Sequence, residues 1–271
     1  MNPAWLEVHR GAAPLVVSFP HTGTELPADI AAGFVSPWLA RKDADWWIDR
    51  LYDFAADLGA TTVRTQISRS VIDVNRDPSG ASLYPGQATT ELCPTTTFDG
   101  EPLYRDKGPD EAEIARRRSA YFEPYHAALQ AELARLRDRH GRIVLYEAHS
   151  IRSVIPRLFE GELPNVNLGT NSGSSCDSAL TQAVETACDA GPFSRITDGR
   201  FKGGWTTRRY GRPETGVHAI QMELACRGYM DEPRDPPTPD TWPAAYFESR
   251  AAPMRATLTH VLKACLAFAK G

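Results

Sequence analysis

Two histidines follow apolar runs in this chain. Leu15-Val16-Val17 leads to Pro20-His21-Thr22-Gly23, and Ile143-Val144-Leu145-Tyr146 leads to Glu147-Ala148-His149-Ser150. Two imidazoles and one carboxylate delivered from separate strand ends can hold a divalent ion and leave a position open for water, the donor set of a catalytic zinc centre. Asp45, in Asp43-Ala44-Asp45-Trp46-Trp47, is the first choice for the carboxylate, and Asp43 is the alternative. The same donors suit cobalt, iron or manganese, so zinc leads a short list of divalent ions. Such a site also needs a base for the attacking water. Glu223 is the candidate, because it interrupts the apolar run Val217 to Leu224, where an unpaired carboxylate would be costly.

A third polar cluster, Ser68-Arg69-Ser70-Val71-Ile72-Asp73-Val74-Asn75-Arg76, carries arginines. A guanidinium pairs with a carboxylate through two parallel hydrogen bonds, so Arg69, Arg76, Arg208 and Arg209 point to a small anionic substrate. Asn75 adds a neutral donor beside Arg76, and the Gly203-Gly204 backbone allows close approach. His126 and His140 on a charged helical segment, and His9 and His260 near the ends, are read as structural. His218 is given no role.

These groups need a scaffold that brings strand ends together. Leu15–Val17, Thr61–Thr65, Ile72–Val74, Ile143–Tyr146 and Val217–Leu224 read as strands. Helical spacing marks residues 45–58, closed by Gly59. It also marks 110–140, opened by Pro109-Asp110 and stopped at Gly141, as well as 177–190 and 244–269. Residues 165–175 read as a polar loop, 198–211 as a glycine-rich one, and 231–240 as a proline-rich surface loop. The turn-rich stretch from Pro78 to Gly108 is a reasonable lid. Alternating strands and helices imply an α/β fold: a single domain over residues 1–271, with a mixed, mostly parallel sheet flanked by helices. In such sheets ligands bind beyond the carboxyl ends of the strands.

Composition narrows the function. The 271 residues are 42% hydrophobic and 24% charged, with a formal net charge of −4. That balance argues against nucleic acid or an anionic membrane surface as partner, so any anion must be drawn by local arginines. No run approaches the roughly 20 apolar residues of a membrane span, and the amino terminus lacks a basic-then-apolar leader, so a cytoplasmic protein is expected. Five scattered cysteines without a Cys-x-x-Cys pair suggest reduced, structural thiols.

The clusters carry a family likeness. Pro20-His21-Thr22-Gly23-Thr24, Asp43-Ala44-Asp45-Trp46, Ser68 to Arg76, Tyr84-Pro85-Gly86-Gln87-Ala88-Thr89-Thr90, Ala148-His149-Ser150-Ile151-Arg152, Asn167-Leu168-Gly169-Thr170-Asn171, Gly199 to Gly204 and Gln221-Met222-Glu223-Leu224 follow one another in order. Together they closely resemble the N-formylglutamate amidohydrolase (N-formylglutamate deformylase) family. The resemblance implies a metal-dependent hydrolase related in fold to zinc carboxypeptidases and aminoacylases. It would split N-formyl-L-glutamate into formate and L-glutamate in histidine breakdown. Carried over, it implies His21, Asp45 and His149 as ligands, Glu223 as base and Arg69 as the group polarising the scissile carbonyl. Asn75 and Arg76 would hold one substrate carboxylate, and Arg208 or Arg209 would help with the other. This chain has Thr22 where the family usually shows Ser, Glu147 where Asp commonly precedes Ala-His-Ser, and Trp47 where His can follow Asp-Trp. The rival reading within enzymes is a deacylase for another acyl-glutamate or acyl-aspartate. A dicarboxylate-binding module without turnover would need neither the histidines nor Glu223.

Overall fold

The computed structural model describes residues 2–81, 86 and 89–271, and among them the apolar runs assemble into one seven-stranded sheet. Its strands are β1 (Leu6–His9), β2 (Leu15–Phe19), β3 (Thr61–Thr65), β4 (Ile143–Ile151), β5 (Val166–Gly169), β6 (Arg195–Thr197) and β7 (Val217–Ala225). The helices are α1 (Ala28–Ala31), α2 (Leu39–Lys42), α3 (Ile48–Leu51), α4 (Glu111–Arg117), α5 (Glu123–His140), α6 (Ser178–Asp189), α7 (Trp205–Tyr210) and α8 (Glu248–Lys270). The strand order is β1-β3-β2-β4-β7-β5-β6. β3, β2, β4 and β7 run parallel, while β1 and the mutually parallel pair β5 and β6 join the sheet antiparallel, which is the mixed α/β architecture expected.

The two central strands, β4 and β7, pair residue for residue from Ile143 with Val217 to Ile151 with Ala225. Side chains alternate across a strand, so each face can be read separately. One face carries Tyr146, Ala148, Ile220 and Met222, which pack with Leu180 and Val184 of α6 and Met254, Leu258 and Val261 of α8. The other begins with Ile143, Leu145, Val217 and Ala219 against Leu129, Leu133 and Leu136 of α5. Each of these leucines removes enough apolar surface from water to contribute about 2 kcal/mol. Further along that same face stand Glu147, His149, Gln221 and Glu223, all buried. The core therefore gives way to polar groups at one level of both strands.

Several elements depart from the sequence pattern. The expected helix over 45–58 is reduced to α3 and a 3-10 turn at Asp53–Ala55, because Trp47 turns the chain through the left-handed region at φ 66°. Ile72–Val74 is not a strand. The flanking Val71 and Arg76 amides turn back to the Ser68 and Asp73 carbonyls, the Asp73 amide reaches the Leu92 carbonyl, and the carbonyls of Val71 and Val74 accept from Arg117 and His126. Val71, Ile72 and Val74 reach the core from this irregular loop. The 165–175 loop contains β5, and the last helix starts at Glu248 rather than at 244. The long helix is capped by Asp110, whose carboxylate accepts from the Glu113 amide, and stops at Gly141 with φ 75°. It widens into a π turn at Arg118–Phe122, just before Pro124, which has no amide hydrogen for the Ala120 carbonyl.

The described cysteines are all buried thiols. Among the described residues no helix is long and apolar enough to cross a membrane. Within the suggested lid, Tyr84, Pro85, Gln87 and Ala88 lie outside the described residues. From Leu92 onward the segment is tied to the body. The Phe98 amide donates to Asp43 Oδ2 at 2.7 Å, and Asp99 pairs with Lys42 and Arg152, each at 2.6 Å.

Candidate active site

His21 lies two residues beyond the end of β2, and its carbonyl accepts the Asp45 amide at 2.9 Å, which ties the first ligand segment to the second. The kink at Trp47 follows directly, and backbone strain of this kind clusters at functional sites. His149 stands on β4, opposite Glu223 on β7 in the strand register. His21, Asp45 and His149 each bring one ligand atom, and these atoms lie within 4.8 Å of one another, all buried. Asp45 Oδ2 is 3.1 Å from His149 Nδ1 and 3.7 Å from His21 Nδ1. Asp43 is turned elsewhere, toward the Phe98 amide and Arg152, and burial pushes its carboxyl up to about 6.

His21 Nε2 is 2.6 Å from Asp73 Oδ1, and donation of its hydrogen there leaves Nδ1 as a bare acceptor aimed at Asp45. Both His21 Nδ1 and Asp45 Oδ1 are buried without a hydrogen-bond partner. His21 Nδ1 also faces the other carboxylate oxygen, Asp45 Oδ2, across 3.7 Å, and two acceptors so placed repel unless a cation lies between them. Two nitrogens and one oxygen suit a divalent ion, so the chemistry of the donor set fits the expected metal. Burial works against the Asp45 carboxylate, yet the adjoining imidazoles, His149 first, outweigh it and hold its carboxyl well below the usual range. Burial likewise opposes a charge on His149, but Asp45 and Glu147 prevail and push it up to about 10. This is a pocket built to hold positive charge.

A cavity opens beside this cluster. Its wall contains His21, Arg69, Asn75, Arg76, His149 and Glu223, the groups expected there from sequence. Burial pushes Glu223 up to about 7, against the pull of His149. Arg69 donates to Asp73 at 2.8 Å, approaches Asp45 at 3.6 Å and lies over the Phe98 ring at 4.8 Å. Asn75 does more than face the cavity. Its Oδ1 accepts from the Thr206 amide at 2.9 Å, and its Nδ2 lies 3.1 Å from His149 Nε2. Gly204 must be glycine for this contact, since a Cβ there would fall 2.4 Å from Asn75 Nδ2.

Arg208 and Arg209 are not in the described wall. On α7, Thr206 and Thr207 face inward, so the next two positions turn away. Arg208 Nε donates to the Gly203 carbonyl, and Arg209 is exposed. Arg200 and Phe201, upstream of the helix, line the cavity in their place. Sequence reading also missed Phe98 and Gln221. Gln221 carried a signal, since it shares the period-two face of Glu223, whereas Phe98 sits in an irregular loop with none.

Known proteins share this chain's sequence pattern and fold. Residues 13–230 match the family model for N-formylglutamate amidohydrolase. A Pseudomonas aeruginosa protein named N-formylglutamate deformylase is 46% identical over 98% of this chain and 97% of its own length. A Pseudomonas putida protein of the same name is 44% identical over 97% and 96%. The crystal structure of N-formylglutamate amidohydrolase from Ralstonia eutropha JMP134 superposes with a TM-score of 0.79 at 25% identity, covering 97% of this chain and 98% of that one. A gene product of Agrobacterium tumefaciens shares the fold at a TM-score of 0.70 and 19% identity, over 97% and 95%. With a family model spanning most of its length and relatives matched nearly end to end, this chain belongs to the N-formylglutamate amidohydrolase family.

Proposed function

We propose that this chain hydrolyses N-formyl-L-glutamate to formate and L-glutamate, with one divalent ion, zinc first and cobalt or iron as alternatives, held by His21, Asp45 and His149. The observation that carries the reading is the three-residue cluster with Glu223 set beside it across β4 and β7. Bound there, such an ion would polarise a carbonyl oxygen and make water more acidic. Glu223 takes the proton of the attacking water on its carboxylate and delivers it to the amide nitrogen as the C–N bond breaks. Arg69 directs its guanidinium at the oxygen on which negative charge grows. Arg76 and Arg200 on the wall supply cations for the substrate's carboxylates.

The reading extends to a cytoplasmic enzyme of histidine degradation, acting on a small molecule without nucleic acid or membrane as partner, with residues 1–271 as one catalytic unit. Ligands at the ends of adjacent parallel strands also support a zinc carboxypeptidase-like layout.

The test is formate release from N-formyl-L-glutamate, with and without chelator and with zinc, cobalt or iron restored, beside N-acetyl-glutamate and N-formyl-aspartate. Metal-dependent release confined to N-formyl-glutamate is expected. Bound metal with turnover only of another acyl amino acid would move the function to the related deacylases. Full activity after complete metal removal would end the metal reading.

A further inference from the structure

Asp73 is completely buried at the junction of four cavity residues. Its two oxygens divide the work. Oδ1 faces His21 Nε2 at 2.6 Å and accepts the Asn75 amide at 2.9 Å, while Oδ2 accepts from Arg69 Nη2 at 2.8 Å and lies 3.5 Å from Arg76 Nε. One oxygen therefore serves a candidate metal ligand, and the other serves the two arginines nearest it.

We infer that Asp73 is a positioning residue that couples the metal ligand to the substrate-facing cations. A carboxylate on the far nitrogen of a ligating histidine fixes its tautomer and ring orientation. Here the proton is kept on His21 Nε2 and the lone pair on Nδ1, toward Asp45. The same carboxylate sets the Arg69 guanidinium between itself and Asp45, so the arginine cannot swing out without abandoning both.

The carboxylate is itself held from several directions. The Asp73 amide donates to the Leu92 carbonyl at 2.7 Å. On either side, Arg117 of α4 donates to the Val71 carbonyl at 3.1 Å, and His126 of α5 lies 2.7 Å from that of Val74. An irregular loop fastened at two carbonyls and an amide can present a side chain as rigidly as a strand does. That explains why Ser68–Arg76 carries site residues without being a strand.

The inference rests on the metal reading above, and the experiments separate the two. Zinc affinity, measured by competition with a chromogenic chelator, and steady-state kinetics on N-formyl-L-glutamate are compared in wild type, Asp73→Asn and Asp73→Ala. Asparagine keeps a carbonyl oxygen for His21 but turns an amide NH2 toward the arginines. Asp73→Ala is expected to weaken zinc binding about 10- to 100-fold. Asp73→Asn is expected to leave it within about threefold of wild type while raising KM about tenfold or more, because only the charged acceptor for the guanidiniums is lost. Parallel loss of both properties in Asp73→Asn, or unchanged zinc affinity in Asp73→Ala, overturns the assignment. If Asp73→Ala does not fold, the split in Asp73→Asn decides. A wild type that binds no zinc sinks the metal reading, yet leaves one arm standing, the 15N shifts of His21 in the metal-free protein. A protonated Nε2 with a bare Nδ1 supports the role of Asp73, and the opposite tautomer refutes it.

Discussion

His149 and His126 are both buried on regular elements, yet their surroundings shift them in opposite directions. His126 on α5 is completed by neutral groups, with the Val74 carbonyl 2.7 Å from one ring nitrogen and the Tyr210 hydroxyl 3.1 Å from the other. Burial therefore pulls it down to about 4, with Arg209 adding to the effect. His149 suffers the same burial but faces Asp45 at 3.1 Å and Glu147 at 3.9 Å, and these carboxylates push it up to about 10. Burial alone says nothing about function. What marks the site is negative charge arranged around a ring that burial would otherwise keep neutral. The His126 pocket is a joint between a helix and a loop, and the His149 pocket is a seat for a cation.

Exchange of the two rings for glutamine is the sharpest way to break this comparison. His149→Gln is expected to lose bound zinc and to cut formate release by about a thousandfold or more, since a catalytic centre needs all three of its protein ligands. His126→Gln should keep its zinc. Metal analysis of both purified variants checks this, and a zinc-loaded, active His149→Gln protein would erase the distinction.

Glu223→Gln sharpens it by separating the charge that holds the ion from the charge that moves a proton. kcat is expected to fall about 10²- to 10⁴-fold with zinc content retained, the usual contribution of a general base. Near-normal turnover would remove Glu223 from the reaction.

The smallest effect lies in stability. His126 binds its proton less readily when folded, so the unfolded chain gains protons first as pH falls. The benefit of the neutral ring is complete above pH 6.5 and is lost as pH drops toward 4. Over that window wild type should lose about 3 kcal/mol more than His126→Gln. Urea unfolding of both proteins at a series of pH values measures the difference, and parallel curves would mean that His126 titrates normally.

Much of the site was legible because regular strands impose a period. Leu15–Val17, Ile143–Tyr146 and Val217–Leu224 are long enough apolar runs to announce buried strands, and His21, His149 and Glu223 stand where those runs turn polar. Asn75, Arg69 and Arg76 were found by residue type, although the strand assigned to their segment is a loop. Asp45 was preferred to Asp43 from the sequence and is the one beside the histidines, but the positive φ at Trp47 just after it was not legible, since an aromatic residue does not advertise one. Nor was the place of Arg200, rather than Arg208 or Arg209, in the described cavity wall, which depends on which side of α7 packs inward against Asn75 and Glu147.

By itself, then, the sequence determined the strand-and-helix alternation and the residue types at the strand ends, since both follow from local periodicity and from the chemistry of single side chains. Tertiary structure alone decided the rest. It set the two-sided use of Asp73, the contact of Asn75 with His149 and the opposite fates of two buried histidines. The reason is that a hydrogen bond or a shifted charge belongs to a pair of groups, and the deciding pairs, His21 with Asp73, Asn75 with His149 and Asp45 with His149, join residues dozens of positions apart, which no local period can reveal.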